Sequence, residues 1–118
     1  MAEEWTMKHR SIVELQQKTD EEKIIERDWK ILKRAQESEK TNLKKAISTY
    51  EKFVSSEARY PLPYLRLPII YRKKKDYINE IRVLKVAVHV FERDNDERNL
   101  SEAKKRLKTA LSLAKIAE

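Results

Sequence analysis

Chemistry at neutral pH most often runs through histidine, and this chain of 118 residues has two, His9 and His89. Neither sits in a His-x-x-x-His or Glu-x-x-His spacing, the patterns that turn two ligands toward one metal on a helix face. His89 falls in a strongly apolar stretch, which predicts a structural histidine. Acidic pairs occur at Glu21-Glu22 and at Asp94 and Asp96. The first lies at a helix start and the second in a polar loop, where capping and solvation account for acids without general acid–base work. The serines lie in no nucleophile-elbow context, because that turn requires glycines and the chain has none. Average usage of about 7% would supply roughly eight. Their absence also removes the phosphate-cradling loops of nucleotide-binding proteins. Zero cysteine excludes disulfides, thiolate metal sites and a cysteine nucleophile. The sequence predicts a non-enzyme with no metal and no cofactor.

Arg72-Lys73-Lys74-Lys75 is the densest basic cluster. Cations suit the negative end of a helix dipole, so a solvated helix C-terminus accounts for it. A patch gripping a few phosphates of a nucleic acid is the alternative. No stacking aromatics are arrayed beside it, and Tyr71 and Tyr77 are expected in the core.

The net charge of +7 is unevenly placed. Residues 41–92 carry 11 basic against 5 acidic residues, a net +6, while residues 1–40 come to −1 and residues 93–118 to +2. This basic middle third favours anionic partners. Met1-Ala2-Glu3-Glu4-Trp5 lacks the basic-then-apolar order of a signal peptide, and the apolar runs are far short of the roughly 20 residues of a membrane span. A cytoplasmic chain without membrane partners is the expectation.

Helices must position these groups. Residues 1–19 form an N-terminal helix or arm with a thin stripe of Trp5, Ile12, Val13 and Leu15. Thr19-Asp20-Glu21-Glu22 reads as a capping box, opening a helix with Ile25, Trp29, Leu32 and Gln36 on one face. Thr41 or Asn42 caps the next, whose stripe is Leu43, Ala46, Ile47, Tyr50, Phe53 and Val54. Pro61 or Pro63 suits a first helical turn, and Pro68 within that helix predicts a bend. Asp76 caps a helix with Tyr77, Ile78, Ile81 and Leu84 on one side at its start, and apolar nearly all round from Val83 to Phe91. Asn99 with Glu102 repeats the capping pattern for a last helix with Leu100, Ala103, Leu107, Ala110, Leu111 and Ala114 inward. Leu113 and Ile116 point elsewhere and are expected to extend an association surface, for self-association or for a partner, with a frayed C-terminus as the alternative.

The chain repeats itself. A shift of 35 lays Trp29 on Tyr64, Leu32 on Leu67 and Gln36 on Tyr71; a shift of 34 lays Leu43 on Tyr77, Ile47 on Ile81, Tyr50 on Leu84 and Phe53 on Ala87. A shift of 36 carries Tyr64, Leu67 and Tyr71 onto Leu100, Ala103 and Leu107. A period near 34 marks a helix–turn–helix solenoid. The unit Tyr64-x-x-Leu67-Pro68-x-x-Tyr71, Asp76-Tyr77, Ile81, Leu84, Ala87 resembles a tetratricopeptide repeat. It departs at Pro68, where the family prefers a small residue, and at Glu80, where it prefers alanine. In the first unit Gln36 replaces the tyrosine, and one extra residue precedes Ala46. The resemblance covers residues 25–92. It implies an all-α single domain over 1–118, with helical hairpins at 20–58 and 61–93 and a capping helix at 99–117. It also implies a partner groove on the first helix of each pair, at Lys30 and Arg34 and at Leu65 and Ile69. The asparagines of the family's carboxylate clamp are missing, and Leu65 and Ile69 are apolar, so a mixed groove for an amphipathic or extended peptide is expected. The N-terminal helix covering that groove is the competing arrangement. The function read from the sequence is a non-catalytic protein-interaction module for a protein or peptide. The alternative is weak nucleic-acid binding through the basic middle third, and a second copy of the chain is also among the partners considered.

Overall fold

The protein was analysed as a computed structural model that describes residues 18–117. Five helices lie among the described residues: α1 Asp20–Ser38, α2 Leu43–Ser55, α3 Pro61–Lys73, α4 Tyr77–Arg93 and α5 Glu97–Ala117. No strand occurs among them, and the all-α class stands. The expected N-terminal helix, with Trp5, Ile12, Val13, Leu15 and His9, lies outside the described residues. The chain divides into two units between Ile31 and Leu32, inside α1.

In the first unit the capping box forms as its residue types dictate. Glu22 N–H donates to Thr19 Oγ1 at 3.1 Å, and Thr19 N–H donates to Glu22 Oε2 at 2.9 Å. Glu26 draws Lys18 and Lys30 to itself. Trp29 keeps 52% of its surface exposed.

In the second unit consecutive helices pack in order, α2 on α3, α3 on α4 and α4 on α5, and α2 also reaches α4. The stripe expected along α1 is corrected at its end: Leu32 and Ala35 are buried, whereas Gln36 is exposed. Leu32 and Ala35 are three residues apart on one face, while Gln36 turns about 100° beyond Ala35. The α2 stripe holds, with Ala46, Tyr50 and Val54 buried and Leu43, Ile47 and Phe53 packed against them. Tyr64, Leu67 and Tyr71 share the buried face of α3, and α4 contributes Val83, Leu84, Ala87, Val90 and Phe91. The one-sided start of α4 is corrected at Ile78, which is 81% exposed. Along α5 only Ala103 and Ala110 are fully buried, and Leu111 is 47% exposed. Leu113 is half-buried and Ile116 is exposed. Tyr64 and Phe91 meet edge to face with ring centres 5.6 Å apart, the arrangement their quadrupoles favour.

Helix α3 stays continuous through Pro68, which is buried although its missing N–H removes one bond of the ladder. Its first turn starts at Pro61, behind Tyr60, as the proline position requires. Asn42 caps α2 and Asp76 caps α4. The last helix starts at Glu97 rather than Asn99, because Asp96 takes the cap. Asn99 donates to Asp96 from both its backbone and its side chain, and Asn79 does the same to Asp76.

Without glycine, three helix ends still close in the left-handed region. Glu57, Lys75 and Asn95 have φ of 51°, 59° and 57°. At each, the next residue's N–H reaches back five positions: Ala58 to Phe53, Asp76 to Tyr71 and Asp96 to Phe91. This is the Schellman pattern, ordinarily built with glycine. A Cβ in this region costs about 1–2 kcal/mol, which asparagine best tolerates. The double backbone bond and the packing behind it hold Glu57 and Lys75 there.

Leu84 is 1% exposed. Leu84→Ala is expected to destabilise by about 2–5 kcal/mol, the range for emptying a core leucine site, as read by urea denaturation. An unchanged midpoint would contradict the burial described.

Candidate interaction surface

Three arginine–carboxylate sets tie the helices of the second unit together. Three acids are drawn inward and each is held by an arginine. Glu39, in the α1–α2 connection, accepts from Arg66 Nη2 at 2.6 Å and Nε at 3.1 Å, and from the Tyr50 hydroxyl at 2.6 Å. Glu51 on α2 repeats the arrangement, accepting from the Tyr71 hydroxyl on α3 and from Arg82 on α4. Glu80 on α4 is 1% exposed and accepts from Arg72 Nε at 2.6 Å. The same guanidinium donates Nη2 to the Arg106 carbonyl of α5 at 3.2 Å. Arginine's planar fork suits such multiple acceptors.

These contacts set the titrations. Burial raises the Glu39 carboxyl, but hydrogen bonds from Arg66 and Tyr50 outweigh it and hold it below the usual carboxylate range. Burial, and then the facing carboxylates, push the Tyr50 and Tyr71 hydroxyls well up. Burial pushes Tyr64 up to about 12, and its hydroxyl donates to the Ala58 carbonyl at 2.6 Å. At Glu80 burial wins over Arg72, and the carboxyl is raised. Its Oε1 is buried without a hydrogen-bond partner.

Lysines do the opposite. Every lysine between residues 41 and 92, from Lys44 to Lys85, is exposed. Of the five acids in that stretch, Glu51, Asp76 and Glu80 are turned to arginine or to a cap, leaving Glu57 and Glu92 exposed. The basic cluster read from the sequence therefore splits. Arg72 is a packing residue tied to Glu80 and α5, and only Lys73, Lys74 and Lys75 face solvent. Lys75 in addition forms the left-handed helix end. His89, expected within the core, is exposed, with its Nε2 3.7 Å from Glu57 Oε2. It lies one residue beyond Val88 and one before Val90, on the outward side of an otherwise apolar turn.

Of the expected groove residues, Lys30 is exposed and 3.7 Å from Glu26 on its own helix. In the second unit Arg34 is exposed, and Leu65 and Ile69 are half-buried, with Leu65 packed on the core. A surface that sequence reasoning placed inward lies instead on the outside of α4. Ile78, Ile81, Arg82, Lys85 and Val86 line an open groove of about 590 Å³. Their spacing of 3, 4, 7 and 8 from Ile78 makes one helical stripe. That spacing was visible beforehand; the hidden fact was that α4 has more apolar residues than the core has room to cover.

Among the described residues no group of acids and histidines is placed to hold a metal, and no helix is long and apolar enough to cross a membrane. Set against protein families, curated proteins and solved structures, the chain matches none.

The raised carboxyl of Glu80 gives a signed pH dependence. A folded-state pKa above the usual 4.5 adds stability below 4.5 that is lost as pH rises through the folded value. The stability of Glu80→Gln relative to wild type is therefore expected to fall between pH 7 and pH 4, in paired urea titrations where other groups cancel. A relative rise would mean that Arg72 outweighs burial.

Proposed function

We propose that this chain is a non-catalytic protein-interaction module made of two tetratricopeptide-like helical hairpins closed by α5. The observation that carries the reading is the outward apolar stripe of α4, where Ile78 keeps 81% of its surface exposed beside Ile81 and Val86. A groove of aliphatic side chains on a rigid helix suits a partner helix or peptide and supplies no reacting group. The second hairpin is supported by the burial of Tyr64, Leu67, Tyr71, Leu84 and Ala87, the family's apolar positions. Pro68 and Glu80 occupy its small-residue positions, and Arg72 accommodates the second. On this reading Arg34, Leu65 and Ile69, all in the second unit, offer a further contact region. Nucleic-acid binding through the basic cluster is less favoured, because Arg72 is committed to Glu80.

Affinity capture from the native host tests the reading, using wild type, Ile78→Asp and Ile69→Asp, each checked for folding by circular dichroism. A protein retained by wild type and lost with one folded variant is expected. Identical recoveries with all three would refute it.

A further inference from the structure

We infer that the α4 stripe receives an acidic amphipathic helix, an inference that rests on the interaction-module reading and names the chemistry of its partner. Two observations combine. The first is apolar: Ile78, Ile81 and Val86 recur at helical spacing along an open groove, a shape that accepts the i, i+3, i+4 and i+7 anchors of another helix. The second is electrostatic. Arginines 66, 72 and 82 are held by the inward acids Glu39, Glu80 and Glu51, and the lysines of α2 to α4 all remain in water. Those internal pairs cancel, and residues 41–92 as a whole keep a net +6. Lys85 stands in the groove itself, and Arg82 is fixed at its wall by Glu51 and Asn79.

Other occupants fit less well. A second copy docked on the same stripe by two-fold symmetry would set Lys85 against its own equivalent. A nucleic acid would use the lysines but gain nothing from three aliphatic side chains, since bases stack on aromatics. A lipid surface favours a helix with a broad apolar face and interfacial aromatics, whereas this stripe is narrow and aliphatic. An acidic helix uses both features: its apolar anchors enter between Ile78 and Val86, and its flanking carboxylates meet Lys85. Opposite charge also speeds encounter and makes binding weaken with salt.

The probe is a labelled 18-residue synthetic helix with leucines at i, i+3, i+4 and i+7 flanked by glutamates, followed by fluorescence anisotropy. A lysine-flanked copy, a duplex DNA oligonucleotide and phosphatidylserine vesicles are measured alongside. Expected are binding of the glutamate peptide that weakens with added salt, a loss of at least about tenfold in Ile78→Asp, and no binding of the lysine copy. Ile78 is largely solvent-exposed, so its replacement leaves the fold intact, as circular dichroism will register. Lys85→Glu should weaken the glutamate peptide and improve the lysine copy. Equal binding of both peptides, an affinity unchanged by Ile78→Asp, or binding confined to DNA or vesicles overturns the inference. If the glutamate peptide fails while Ile78→Asp still loses a captured protein, the module reading stands and the acidic partner falls. If neither shows an effect, both fall.

Discussion

A carboxylate with 1% exposure must be held by something, and Glu80 is held by Arg72. Three helices meet at that contact. Arg72 comes from the last turn of α3, Glu80 from the first turn of α4, and the Arg106 carbonyl from α5 takes the guanidinium's other nitrogen. A small residue at position 80 would let neighbouring helices close with backbone near backbone. Here a charged pair occupies the space. Removing one member of a buried pair is far more costly than exchanging both, because the survivor stays desolvated. The pair therefore ties α3, α4 and α5 at one point.

The same division of labour recurs at Glu39 with Arg66 and Tyr50, and at Glu51 with Arg82 and Tyr71. Each set joins segments distant in sequence through a tyrosine hydroxyl that would otherwise be buried unpaired. The lysines of residues 41–92 all stay in water, where a hydrated ammonium costs little. A chain 40% charged thus keeps a coherent core in its second unit.

The helices, their caps at Thr19, Asn42 and Asp76, and most core stripes were legible because each follows from local chemistry and a 3.6-residue period. Asp96 was missed in favour of Asn99, since both fit a cap and only the preceding helix end decides between them. The exposure of Ile78 and His89 was not legible. Periodicity says that α4 is apolar on several faces, but not which face lacks a neighbour. Arg72 was read with three lysines as one basic run; its separate role depends on Glu80, eight residues away across a turn. The two positions marked as departures from the family, Pro68 and Glu80, are both buried, so the sequence pointed to the place without disclosing the arginine that fills it.

Double-mutant denaturation at Arg72 and Glu80 tests the central claim most directly. Arg72→Met alone strands a buried carboxylate and should destabilise near the low end of about 3–5 kcal/mol, the range for breaking a buried pair, since Arg72 is itself partly exposed. Combining it with Glu80→Leu should recover most of that loss, leaving a large coupling between the two sites. Effects that simply add, or an Arg72→Met protein as stable as wild type, would contradict the account.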